Sequence, residues 1–591
     1  MSKSEDIPSL VEESFPAPGF RKYQREAIEE VVEGVYDPDV DVVLVNAPTG
    51  SGKSLINETS INAAPGPGFY ITPLNSLVDQ LANDEFMKDR MITLKGRSNY
   101  DCVHPDDRGS PVSEAICQRD SSFECSMKDT ECPYYSLKAR ALGHPEVATN
   151  MSYLIVDSMI PEVAGNTKVS FGDREVVVID ECQTTDDQAL NFISVTVSRR
   201  TTPEQVWKNI RVPSERDSDD MDKMVEWLQG EVAPSIDAVM DDLNQIGVLS
   251  DVQSSIKEDL VNFERKIGNF LLDVKDHEWV CEIQTDIRKN KPNEKKAVFQ
   301  PLEVGRFLDR YIWSRGRTVI LSSATIPGDG WLEEIGLGDA NIKKVRVPST
   351  FPVENRPIYC DHAVGKMVSE YSDRSNNRKT NAWDMCKKIM QIAEAHKAVG
   401  QPNGFIHCRS YSIAELLERS YKNHSSVTLQ VPNGEGGWVS KEFDTREWFE
   451  ENVQVQDRYN RDESLQDWLE NDTPVFFSVF MSEGVDLKYD KCHWQALAKT
   501  LYPFIDKRME RRKELAEEKG DAQEFWNYYN RKAVIQIQQA YGRGVRADDD
   551  ECSFYILDQS AITLIKRNAE QFNKWFLEGI TDMRINPDRG N

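Results

Sequence analysis

Four sets of residues in this 591-residue chain have types and spacings that do chemistry. The first is Ala47-Pro-Thr-Gly-Ser-Gly-Lys-Ser54. Gly50 and Gly52 let the backbone around Thr49 and Ser51 bend so that its N–H groups point at phosphate oxygens. Lys53 is placed to reach the β- and γ-phosphates of a nucleotide, and the Ser54 hydroxyl to hold Mg2+. Ala47 stands where the general pattern has its first glycine. The second set is the pair Asp180-Glu181. Asp180 suits Mg2+ held through its water shell, and Glu181 the orientation and activation of an attacking water. The third is Gln539, Gly542, Arg543 and Arg546, with the spacing Q-x-x-G-R-x-x-R. On one helix these positions share a face, and two guanidiniums there suit a transferring phosphoryl group. The fourth is Cys102, Cys117, Cys125 and Cys132 in a short polar stretch.

These residues need elements to hold them. Val42–Val45 is a short apolar run of the length of a buried parallel strand, and an apolar-periodic helix follows the glycine loop. Val176–Ile179 is a second such run, with Asp180-Glu181 at the carboxyl end where a parallel sheet carries its site. Thr318–Leu321 is a third, leading into Ser322-Ser323-Ala324-Thr325, whose hydroxyls can relay hydrogen bonds. The C-terminal half repeats the alternation in 403–420, 474–487 and 533–558. The pattern predicts an α/β chain built on parallel sheets.

Composition narrows the options. The length suits about four units of roughly 150 residues, and apolar residues are 39% of the total, enough for several cores. No run of about 18 apolar residues predicts a membrane span. The polar, acidic start "MSKSEDIPSLVEESF" lacks the basic and apolar parts of a secretion signal, so a reducing, cytoplasmic setting is expected. The odd total of 11 cysteines also disfavours a complete disulfide frame. The four clustered cysteines contain no C-x2-C pair, and their thiolates suit either zinc or an iron–sulfur cluster. The net charge of −28 argues weakly against nucleic acid, because a basic groove can sit on an acidic molecule.

Read in chain order, the motifs resemble the XPD/DinG-like family of superfamily 2 iron–sulfur DNA helicases. "FRKYQREAI" resembles the adenine motif with Tyr23 and Gln24, and "APTGSGKS" is similar to motif I. "YITPLNSLVDQL" resembles motif Ia and "ATNMSYLI" the Thr-Asn element. "DECQ" resembles motif II, "SSAT" motif III, "SEGVDL" with Gly484 and Asp486 motif V, and "QQAYGRGVR" motif VI. "LKGRSNYDC" and "CPYYSLKARAL" bracket the cysteines as in that family. One departure is Gln183 where the family's motif II ends in histidine.

The resemblance implies two RecA-like P-loop domains with an iron–sulfur insertion and a mostly helical Arch-like insertion. The expected boundaries are 1–95, 137–185 and 311–350 for the first RecA-like domain, 96–136 for the iron–sulfur region, 186–310 for the Arch, and 351–591 for the second RecA-like domain. It implies ATP, Mg2+ and a [4Fe–4S] cluster on Cys102, Cys117, Cys125 and Cys132. The implied activity is ATP-driven translocation on single-stranded DNA, 5′ to 3′, with unwinding of forked duplexes. The alternative is a translocase or remodeller with weak unwinding, serving a repair or nucleic-acid-targeting complex. A monomer is expected. Lys88, Arg90, Lys95, Arg97, Lys138 and Arg140 are candidate phosphate contacts, and Tyr134 and Tyr135 candidate stacking residues.

Overall fold

The computed structural model describes residues 6–119, 123–160, 162–164, 167–246, 249–286, 294–328, 330–367, 377–433, 436–479, 487, 489–583 and 585. Two parallel sheets dominate. The first has seven strands in the order Ile342–Arg346, Val42–Asn46, Gly316–Ser323, Arg174–Asp180, Gly68–Thr72, Glu146–Asn150 and Ile92–Thr93. Its central strands are apolar at successive positions because both faces are covered. Val42, Leu44, Phe69, Ile71, Val177, Ile179, Val319 and Leu321 face one core. Val43, Val45, Tyr70, Val176, Val178 and Ile320 face the other. The period of two thus sorts one continuous apolar run into two cores.

The second sheet has six parallel strands: Ile358–Tyr359, Ser553–Ile556, Trp494–Leu497, Gly404–His407, Val475–Ser478 and Val453–Val455. Helix Ala522–Tyr541 runs beside it and carries residues onto the first sheet's domain. The expected α/β class, with parallel sheets, is what the chain adopts.

Residues 186–310 were expected to be mostly helical, and their longest helix is Asp251–Asp273. It begins at a reciprocal cap: Ser250 Oγ accepts from the Gln253 N–H, and Gln253 Oε1 accepts from the Ser250 N–H at 2.9 Å. The region also holds a three-stranded antiparallel sheet, Val195–Val197, Glu294–Pro301 and Trp279–Asp286. Trp227, Phe270, Trp279 and Phe299 fill a core of its own between helices and sheet. Strand Glu294–Pro301 alternates buried and half-buried residues from Lys296 on.

Candidate nucleotide site between the two parallel sheets

The glycine loop leaves the carboxyl end of Val42–Asn46 and enters helix Lys53–Asn62. Gly50 and Gly52 have φ of 85° and 77°. A Cβ at Gly50 would lie 2.1 Å from the Phe351 ring, and one at Gly52 2.2 Å from Gln24 Nε2. Both positions therefore need glycine for dihedral and for space. Gln24 is buried and its amide is committed to this loop: Nε2 donates to Gly52 O at 3.1 Å, and Oε1 accepts from the Arg21 N–H at 2.9 Å. Arg21 donates to Gly50 O at 2.7 Å. Tyr23 lies at the start of helix Gln24–Tyr36 with φ 64° and an exposed ring. Tyr23 and Gln24 thus divide, one outward and one beneath the loop.

Lys53 meets the acidic pair across the sheet. Its Nζ is 3.0 Å from Asp180 Oδ1 and also pairs with Glu181. Burial alone would lower the Lys53 pKa, but the two carboxylates outweigh it and hold the ammonium above its ordinary range. Burial likewise pushes Glu181 up, and Lys53 reverses it, so the carboxyl lies below its usual value. Glu181 itself has φ 50°, a left-handed conformation costly for a side chain with a Cβ. Tyr70, which the sequence reading did not single out, donates to Asp180 Oδ2 at 3.1 Å.

Gln183 links the acidic pair to the hydroxyl run. Its Nε2 donates to Glu181 Oε2 at 2.8 Å, while its Oε1 accepts from Ser323 Oγ. Ser323 in turn accepts from the Thr325 N–H at 2.9 Å.

The motif near residue 540 departs from the helical expectation. Helix Ala522–Tyr541 stops at Gly542, so Gln539 is helical but Arg543 lies in the following turn and Arg546 beyond it. Gly542 and Gly544 flank Arg543, and a Cβ at Gly544 would meet Cys552 Sγ at 2.5 Å, so that position has room only for glycine. The residues converge nonetheless. Thr49, Lys53, Ser54, Asp180, Glu181, Gln539, Arg543 and Arg546 line one cavity of about 450 Å3 between the two sheets. Gly484 and Asp486 lie outside the described residues.

The helix that ends at Tyr541 also grips the first domain. Lys532 Nζ lies 2.6 Å from Asp186 Oδ2 and 2.9 Å from Asp187 Oδ1. Arg531 pairs with Glu334. None of these partners had a spacing signal, because they are apposed only by folding.

The four clustered cysteines are free and line one small cavity with His104. Cys102 and Cys132 are buried, Cys117 and Cys125 partly so. Four thiols around one cavity fit an iron–sulfur cluster in kind. Among the described residues, no three His, Cys, Asp or Glu side chains are grouped to hold a metal ion.

The candidate phosphate contacts are mostly spent internally. Arg90 pairs with the buried Glu58, Lys95 with Asp79 at 2.6 Å, Arg97 with Glu258 at 3.1 Å, and Lys138 with Asp157 at 3.5 Å. Tyr134 is buried, its hydroxyl 3.0 Å from that of Tyr153. A second cavity, of about 380 Å3, opens at the carboxyl ends of the second sheet's strands. Arg409, Phe504, Arg508, Tyr528 and Lys532 line it. The Arg409 guanidinium sits 4.4 Å from the centroid of Phe504, whose ring is 66% exposed. The sequence reading missed this pair.

Two parallel sheets face one cavity, with a glycine loop and acidic pair on one and an arginine turn on the other, the arrangement of a candidate nucleotide site between two domains. Comparison with known proteins is narrower. Residues 394–579 match the family model described as Helicase C-terminal domain. Solved structures extend the likeness to nearly the whole chain. One titled "XPD_Helicase" has 17% identity and a TM-score of 0.58, covering 93% of this chain and 98% of its own. "XPD_APO" has 15% identity and a TM-score of 0.53, with 92% and 98% covered. "Structure of S. tokodaii Xpd4" has 14% identity and a TM-score of 0.51, with 96% and 99% covered. No curated protein sequence matches. The chain thus matches a helicase C-terminal domain model over 394–579 and shares the mixed α/β fold of the XPD structures.

Proposed function

We propose that the chain is an ATP-dependent DNA helicase that translocates on single-stranded DNA and unwinds forked duplexes. The observation that carries this is the shared cavity, where Lys53, Asp180 and Glu181 of one domain face Arg543 and Arg546 of the other. The domain division expected from the motifs goes with it, 186–310 carrying both helices and the antiparallel sheet. ATP binding exchanges the Lys53 contacts with Asp180 and Glu181 for contacts to β- and γ-phosphate oxygens, leaving Glu181 able to take a proton from water. The water oxygen bonds to the γ-phosphorus, the bond to the β–γ bridging oxygen breaks, and ADP and phosphate leave. Arg543 and Arg546 offset the charge on the transferring group. Ser54 and Asp180 would hold Mg2+, which neutralises phosphate charge when bound.

Gln183 supports coupling, since it ties Glu181 to Ser323 in place of the histidine usual in the family. The second cavity is our candidate segment of the DNA track: Arg409 for a phosphate, Phe504 for a base. Cys102, Cys117, Cys125 and Cys132 would hold a [4Fe–4S] cluster, which supplies structural bonds to a small polar insertion. Direction 5′ to 3′, a monomeric state and protein partners in a repair or targeting complex come from the resemblance, and a reducing cytoplasmic setting from the polar start and the cysteines.

The deciding experiment is strand displacement on forked, 5′-tailed and 3′-tailed duplexes with ATP, beside DNA-stimulated ATP hydrolysis. Displacement of the 5′-tailed and forked duplexes is expected. Hydrolysis and movement without displacement would select the translocase alternative. Absence of DNA-stimulated hydrolysis would overturn both.

A further inference from the structure

Asn573 occupies the position preceding helix Lys574–Glu578, where an asparagine ordinarily caps the first turn with its side chain. It makes no such bond here. Asn573 is fully buried, and its amide is spent elsewhere. Its Oδ1 accepts from Asn46 Nδ2, and its backbone N–H and Nδ2 donate to Gln538 Oε1 at 2.7 and 2.9 Å. Asn46 ends the strand that becomes the glycine loop, and Gln538 immediately precedes Gln539. Two residues on, Trp575 Nε1 donates to Ala324 O at 3.1 Å, and the Trp575 ring stacks on Tyr541 at 5.2 Å. This short segment therefore touches the glycine loop's strand, the Ser-Ser-Ala-Thr turn and the last turn of the arginine-bearing helix. Gln538 is fully buried and lines the nucleotide cavity, yet its Nε2 has no hydrogen-bond partner. Asn46 Oδ1 is likewise buried without one. The chain of amides is thus incomplete at each end, an arrangement costly unless a rearrangement can use it.

We propose that Asn573 is a positioning residue that fixes the arginine turn relative to the glycine loop, through Asn46 on one side and Gln538 on the other. This rests on the ATPase reading above. Asn573 touches no reacting atom. It sets where Arg543 and Arg546 stand when the phosphates reach Lys53, so its loss should slow turnover more than it weakens nucleotide binding.

The test uses the full chain with Asn573→Asp, Asn46→Ala and the double variant. Asn573→Asp is isosteric, but its second oxygen faces Gln538 Oε1 where a donor stood; Asn46→Ala, which buries no charge, breaks the same bridge from the other side, and thermal melts of both confirm that the fold is kept. At saturating single-stranded DNA, each single variant should lower kcat about tenfold with KM for ATP changed less than about threefold, and the double should be no worse than the singles. Hydrogen exchange should quicken in peptides covering 46–54 and 538–546 and not elsewhere. Unchanged kcat, an equal loss carried by KM, or additive effects would overturn the proposal. If the wild-type chain hydrolyses no ATP, the functional reading falls, and the exchange result still decides the bridge: no local quickening in Asn573→Asp refutes it.

Discussion

The Gln183 amide donates to Glu181 Oε2 at 2.8 Å while its oxygen accepts from Ser323 Oγ. One side chain therefore joins the acid that would activate water to the strand end that leads into Ala324 and Thr325. Gln183→Ala leaves Ser323 Oγ and Glu181 Oε2 short of a partner, worth about 1–3 kcal/mol. DNA-stimulated kcat should fall by about tenfold, with the basal rate less affected. Gln183→His keeps one donor and one acceptor and should stay within about threefold of wild type. Steady-state hydrolysis with and without single-stranded DNA is the measurement. Equal losses for both variants would remove the bridge from the mechanism.

Lys53→Ala should abolish phosphate contact, the strongest kind of hydrogen bond the site offers. Hydrolysis falls by at least about tenfold, while binding to labelled single-stranded DNA changes little. A purified variant that turns over normally would end the glycine-loop assignment.

Lys532 sits between Asp186 and Asp187. Burial would raise the Asp186 pKa, but Lys532 outweighs it and holds the carboxyl below its usual range. Lys532→Met strands the buried Asp186 carboxylate and should cost about 3–5 kcal/mol in denaturant unfolding. Adding Asp186→Asn and Asp187→Asn should recover most of that loss. A denaturant midpoint indifferent to Lys532→Met would mean the contact between the domains carries no energy.

Glu146 is buried beside Glu58, and Asn62 Nδ2 donates to both, at 2.6 and 2.8 Å. Burial first, then the charge of Glu58, pushes the Glu146 carboxyl well above the usual range. A folded-state pKa above the unfolded one means the native state holds this proton more tightly. That stability is complete below the unfolded value of about 4.3 and is lost as pH rises through the folded value. Glu146→Gln removes the loss, so its Tm should exceed wild type by at least about 2 °C at pH 8 and converge with it near pH 4.5. Calorimetry across that window checks the sign; a gain that is constant with pH would assign it to packing.

Phe504→Ala should raise Kd for single-stranded DNA at least about fivefold, by loss of one stacked base. The salt slope should be unchanged, because no phosphate contact is removed. A change in slope without a change at low salt would place the ring outside the DNA track.

The sequence by itself determined the parallel-sheet class, since both-face burial writes strands as unbroken apolar runs, as in Val42–Val45 and Val176–Ile179. It also marked Lys53, Asp180, Glu181, Arg543 and Arg546, because phosphate chemistry demands those types at short spacing. Tertiary structure alone decided the rest. Arg543 and Arg546 reach the cavity from a turn, not a helix face, because the helix ends at Tyr541. Tyr70, Lys532 and Asn573 have partners more than a hundred residues away. Such pairs leave no local periodicity, so only packing two sheets against one cavity brings them together. The same holds for the candidate basic residues. Arg90, Lys95, Arg97 and Lys138 look available in the sequence, yet folding sets a carboxylate against each. Charge is local in a sequence, but its neutralisation is a property of three dimensions.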